Sequence, residues 1–206
     1  MYKKCNGMIK PFGTGCWVTN CDGMDIHLPE NKKIISDIAS DAKRIRGDII
    51  SQALDVEFFL NEVIELFFMG DDNKRTDAFN ECILQKEFFT FAEKLRVIKY
   101  LLKTYPEMFR LSSDEKKNLK VIQAVDRVMR YRNKITHEHL MVNFNEKSAY
   151  ILDKKGNNLL SSNLIKEFYR DISYISVAHL GLYVNLITET VKEKRTQTLT
   201  KKNHSR

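Results

Sequence analysis

Long apolar runs are missing from this 206-residue chain: no window approaches the roughly 18 to 20 apolar residues that a membrane-spanning helix requires. None follows Met1 either, so a cytoplasmic location with no membrane partner is expected. Cysteine is scarce. Cys5, Cys16, Cys21 and Cys82 are too few and too irregularly spaced for a disulfide scaffold, which fits reduced cytosolic thiols. Cys5, Cys16, Cys21 and His27 lack the closely paired knuckle of a structural zinc site, so no metal and no cofactor is expected. No internal repeat is visible, which excludes solenoid and propeller architectures. The body of the chain also has little excess charge. Of the formal +7, six cations against Glu193 place +5 in residues 192–206 and leave +2 for everything before them. Global basicity is therefore weak evidence for a nucleic-acid partner, and 192–206 is read as a basic flexible tail.

What is present suits one soluble globular domain: 43% hydrophobic and 30% charged residues, with 12 Phe and 8 Tyr to fill a core. Residues 1–28 hold several glycines and short apolar pieces such as Cys16-Trp17-Val18, and are expected to form an irregular extension of turns with a small hairpin. Pro29 suits the first turn of a helix that runs to about Met69 and stops at Gly70, with Gly47 as a candidate bend. Residues 76–85 and 86–105 are expected to form a further helix pair or one interrupted helix, with Phe88, Phe91, Leu95, Ile98 and Leu102 on an apolar face. Ser112 and Glu115 have capping-box spacing, so another helix starts there and continues through Ile135 with Leu119, Ile122, Val125 and Val128 facing inward. Short extended pieces at 141–144 and 149–152, with a turn at 153–157, predict a small hairpin. Ser161 to Asn163 then cap a last helix reaching about Val191, on which His179 reads as a core histidine. The fold class is thus mainly α: an antiparallel helical bundle over 29–191 with a small β-hairpin before the last helix.

Two places carry polar groups that this pattern does not need. On the first long helix, the row Ile50, Leu54, Glu57, Asn61, Ile64, Phe68 is apolar except for two polar residues one turn apart. A carboxylate facing a core must find a partner, a proton or water, so Glu57 and Asn61 mark either a wetted edge or a polar cleft. The second place is the stretch Arg132 to His137, Arg-Asn-Lys-Ile-Thr-His, near the end of the capped helix. There Asn133 and His137 stack at i and i+4, as do Arg132 and Thr136, and Arg132 and His139 are related as i and i+7. From spacing alone, two readings stay open: a solvated helix end, where cations suit the dipole, or a cluster presented to a cleft.

The Arg-x4-His sequence with Asn directly after the Arg, near the end of a long helix in a helical chain, resembles the HEPN superfamily (higher eukaryote and prokaryote nucleotide-binding domains). The likeness spans roughly residues 31–191. It implies a homodimer whose two motifs share one cleft, and a metal-independent RNA endonuclease of a defence or toxin system, with an antitoxin or other regulatory protein as a possible partner. Carried over by position, Arg132 and His137 are the catalytic pair, Asn133 is the polar residue after the Arg, and Glu57 is the candidate acidic residue of the earlier helix. Toxins of this kind that are nucleotidylated extend the motif to His-x-Tyr; His139 stands at that position here, so the modification is not expected.

These residue types suit RNA cleavage. A neutral His137 can take the proton of a ribose 2'-hydroxyl, and Arg132 can hold phosphate oxygens with its fork of donors. Lys116, Lys117, Lys120, Arg127, Arg130 and Lys134 lie on the same helix and are candidates for guiding RNA. The competing expectation is a non-catalytic HEPN-like module that binds a nucleotide or a protein partner through the same Arg-His cluster.

Overall fold

The computed structural model describes residues 10–11, 16–19, 25–70, 73–106, 115–179 and 181–182, and the chain is mainly helical with one small sheet. Helix α1 spans Pro29–Met69 without a break at Gly47. Its entry is pinned locally: the Asp25 carboxylate accepts from the His27 amide at 2.9 Å, and the Asn31 side chain donates to the Asp25 carbonyl. Its exit is Gly70, whose φ of 63° supplies the left-handed residue that ends a helix while its amide returns to the Leu66 carbonyl.

Helix α2 covers Asn73–Phe79 and passes into a π-helical turn at Asn80–Leu84. Helix α3, Phe91–Thr104, begins where the Thr90 side chain accepts from the Glu93 amide. Its start five residues later than expected moves Phe88 off the helix, and Phe88 is 67% exposed. Leu101, not Leu102, completes the buried row Phe91, Leu95, Ile98. Helix α4 is described over Glu115–His137; Ser112, its expected cap, lies outside the described residues. Its buried residues include Val121, Ile122, Ala124, Val125 and Val128, while Leu119, expected inward, is exposed. A last helix, α5, occupies 162–179; its expected extension to Val191 runs beyond the described residues.

Strands β1 (Lys10–Pro11), β2 (Cys16–Thr19), β3 (Leu140–Asn143) and β4 (Ser148–Ile151) form one sheet in chain order. The expected hairpin is β3 and β4, antiparallel, with Asn143 opposite Ser148. The turn that joins them is 144–147, where Lys147 takes a φ of 47°; the expected turn at 153–157 follows β4 and uses Gly156 at φ 82°. The N-terminal stretch expected to be an irregular extension supplies β1 and β2, and β2 pairs in parallel with β3 from Cys16 opposite Leu140 to Thr19 opposite Asn143. Thr19 bonds to the Tyr150 hydroxyl at 2.8 Å, which ties β2 to β4 as well.

The chain divides into two compact units. Met1–Ala53 with Arg130–Arg170 form the first, and Leu54–Met129 with Asp171–Arg206 the second. Buried in the first are Val18, Ile35, Ala39, Ala42, Ile49, Ile135, Leu140, Val142, Ile151, Leu159 and Phe168. Buried in the second are Val56, Phe59, Leu60, Val63, Ile64, Leu84 and the apolar rows of α3 and α4. No helix among the described residues is long and apolar enough to cross a membrane.

Candidate functional site

Within the first unit, the end of α4 is anchored from below and polar above. Ile135 is fully buried, and at about 100° per residue the positions Arg132, Thr136, Asn133 and His137 then spread over about 140°, Arg132 about 60° and His137 about 160° away from Ile135. The last turn of a helix leaves carbonyls without intrahelical donors. Arg46 of α1 supplies one by donating to the Thr136 carbonyl. The Thr136 hydroxyl donates back to the Arg132 carbonyl at 2.7 Å. These bonds hold the turn in place without using the side chains of Arg132, Asn133 or His137.

Arg132 is half-buried, and its Nη1 donates to the Asn133 Oδ1 at 3.1 Å, which orients the guanidinium along the helix surface. Asn133 and His137 are exposed, and among the described residues the His137 ring makes no hydrogen bond or ion pair. His139 is not in register with Arg132 on the helix, because α4 ends at His137; its ring instead lies edge-on to Trp17 at 6.4 Å.

Lys134 and Arg127, among the expected RNA-guiding cations, are committed elsewhere. Lys134 donates at 3.2 Å to Asp153, a buried carboxylate that also accepts from the Asn157 and Lys155 amides and the Asn157 side chain. Burial alone would raise the Asp153 carboxyl, but the bonds from Asn157, Lys134 and Lys155 outweigh it and hold the group well below the usual carboxylate range. In the second unit, Arg127 makes a two-pronged pair with Asp171, both contacts at 2.7 Å. Lys120 and Arg130 are exposed, and the side chains of Lys116 and Lys117 lie outside the described residues.

Glu57 belongs to the second unit, on α1, where its Oε1 accepts from Lys94 Nζ at 2.7 Å. Lys94 comes from α3 and its side chain is only 5% exposed, against 23% for Glu57. Of the two readings of the interrupted α1 row, the cleft is the one realised: Glu57, Asn61 and Lys94 line a cavity of about 430 Å³ with Leu54, Phe58 and Phe89. Asn61 Oδ1 itself is buried without a hydrogen-bond partner. Lys94 is the residue that reading the sequence overlooked. Its signal was available, since it stands between Phe91, Leu95 and Ile98 on an otherwise apolar row, as Glu57 does on α1.

His179 is half-buried against Phe59, ring centroids 4.1 Å apart, with Nε2 3.2 Å from the Glu62 carboxylate. Burial pushes its pKa down and Glu62 only partly restores it, so the neutral ring is favoured. Cys16 is a buried strand residue whose thiol burial pushes up; Cys5 and Cys21 lie outside the described residues. Among the described residues no group of three or more His, Cys, Asp or Glu side chains is placed to hold a metal ion. No protein-family model, no curated protein and no solved structure matches the chain.

Proposed function

We propose that the last turn of α4 binds RNA phosphate, and that two copies of the chain joined at this surface cleave RNA without a metal ion, as the HEPN likeness implies. The observation that carries this reading is the placement of Arg132, Asn133 and exposed His137 on one polar arc of a helix turn fixed by Ile135 and by Arg46. Sites built on rigid elements keep donors aimed at a phosphate without reorganising at the moment of reaction.

In this mechanism His137 removes the proton from a ribose 2'-hydroxyl as that oxygen attacks the adjacent phosphorus. The P–O5' bond breaks, and the second copy's histidine, protonated, gives its proton to the leaving 5'-oxygen. The products are a 2',3'-cyclic phosphate and a 5'-hydroxyl. Arg132 spans two phosphate oxygens and stabilises the charge that builds on them, with Asn133 steering the guanidinium. A two-fold axis supplies the pair of histidines that one chain supplies singly. Glu57 accepts from Lys94 in the second unit, and no step of this mechanism draws on it. A role in defence or as a toxin, with a regulatory protein that masks the arc, follows from the same likeness.

The test is cleavage of single-stranded RNA in EDTA across a dilution series. Activity should fall more steeply than protein concentration below the dimer constant, and Arg132→Ala should abolish it while leaving the dimer intact. Linear dilution, or full activity in Arg132→Ala, would overturn the reading.

A second reading has its own observation. Asn133 already orients Arg132, while His137 has no partner among the described residues to set its tautomer, an arrangement suited to holding phosphate without turnover. Saturable binding of RNA or a nucleotide with no new RNA ends would favour it.

A further inference from the structure

The sheet of the first unit has one face in the core and one turned outward. Side chains alternate between the faces along a strand, and residues opposite each other on paired strands share a face. Cys16, Val18, Leu140, Val142 and Ile151 take the inner face and are buried. The register sets Trp17 opposite Met141 and Met141 opposite Tyr150, so these side chains form a row across the other face. Trp17 is 37% exposed, and Met141 and Tyr150 are half-buried.

Both rings of this row are held. Tyr150 lies two strands from Thr19, about 9–10 Å at the usual strand spacing, yet their hydroxyls are 2.8 Å apart. A tyrosine standing upright on the sheet could not close that gap, so the Tyr150 ring lies across β3. Trp17 meets the exposed His139 ring edge-on, with centroids 6.4 Å apart. Aromatic rings fixed in this way lose little freedom when a flat ring stacks on them, and every nucleobase offers such a face. Position and charge select the occupant. His139 follows the end of α4 by two residues, at most about 7 Å of chain, so the row begins next to the arc of Arg132 and His137. Trp17, Thr19, Met141, Asn143 and Tyr150 on this face carry no charge to repel a polyanion. The carboxylate that does reach it, Glu146, lies 3.4 Å from the Ser148 hydroxyl, at the end of β3 away from α4.

We infer that this sheet face stacks the unpaired bases of single-stranded RNA on Trp17 and Tyr150, beside the phosphate held at the arc. The inference rests on the proposed RNA site and gives that site a preference for single strands, because the bases of a duplex keep their faces stacked on one another.

Trp17 is the chain's single tryptophan, so its fluorescence reports on this face alone. The full chain is titrated with a 2'-O-methyl RNA single strand, which lacks the attacking hydroxyl and stays whole, with the same strand in a duplex, and with an abasic strand of equal length that keeps the phosphates and has no bases. The single strand should quench the emission saturably, and the duplex and the abasic strand should not. Affinity for the single strand, followed by anisotropy of an end label, should fall about fivefold or more in Trp17→Ala, the low end for loss of one stacked base, and recover in Trp17→Phe. Absence of quenching by the single strand, equal quenching by the abasic strand, or unchanged affinity in Trp17→Ala would each overturn the stacking face; cleavage that still requires Arg132 would then leave the RNA site standing without it. If no oligonucleotide binds, both readings fall. Emission that shifts on raising the protein concentration alone would assign the face to a second copy of the chain and overturn the inference as well.

Discussion

At the end of α4, His137 is exposed and half-buried Arg132 makes one side-chain bond, to exposed Asn133; in the cleft of the second unit, Lys94 is buried and bonded to a Glu57 that is itself three-quarters covered. The contrast shows where polar groups earn a structural explanation. Exposed groups on a helix end cost nothing to leave there, so their arrangement argues for function only through its geometry and its likeness to a known motif. Buried groups are expensive, so each must either stabilise the fold or await a ligand.

Substitutions can break that contrast from either side. The largest expected effect is on chemistry. His137→Ala should lower RNA cleavage by about 10²- to 10⁴-fold, the usual worth of a positioned general acid or base, without changing the melting temperature, since the ring has no partner among the described residues. Rate constants under single-turnover conditions check it.

Lys94→Ala should do the opposite, costing about 3 kcal/mol of stability by stranding the Glu57 carboxylate in the cleft. The double variant Lys94→Met with Glu57→Leu should recover most of that loss in urea unfolding, because an apolar pair needs no solvation. Asp153→Ala should cost about 2 kcal/mol by removing the acceptor shared by Asn157, Lys155 and Lys134. Arg127→Ala should cost about 1 kcal/mol, because Arg127 is half-exposed although it leaves the nearly buried Asp171 without its fork.

The smallest effects are those of pH. The folded-state pKa of Asp153 is depressed, so its contribution is present above the unfolded value of about 4 and is lost as pH falls through the lower folded value. His179 is lowered chiefly by burial. The unfolded chain therefore binds its proton more readily, and stability should decline as pH falls below the ordinary histidine value, a slope that His179→Gln removes. Urea midpoints measured at a series of pH values separate the two windows.

Much of this was legible in residue order, and what was not has identifiable causes. The ends of α1 could be read from Pro29 and Gly70, because caps act over a few residues. Glu57 and Asn61 could be singled out because they interrupt an apolar row. That they face a cleft depends on α3 and on the residues before it, which no periodicity on α1 encodes. The parallel pairing of Cys16–Thr19 with Leu140–Asn143 joins segments more than 120 residues apart, where strand propensity carries no information about register. Arg127 and Lys134 looked like free cations for the same reason: their partners Asp171 and Asp153 lie 44 and 19 residues away. Phe88 was assigned to a core face because its spacing to Phe91 and Leu95 is helical, but Thr90 caps α3 after it.

The claim that the arc on α4 is catalytic is tested most directly by the ends it leaves on RNA. With EDTA present, RNA incubated with the unaltered chain should acquire 2',3'-cyclic phosphate and 5'-hydroxyl termini, and RNA incubated with His137→Ala should not. Identical termini from both proteins, or none from either, would contradict it.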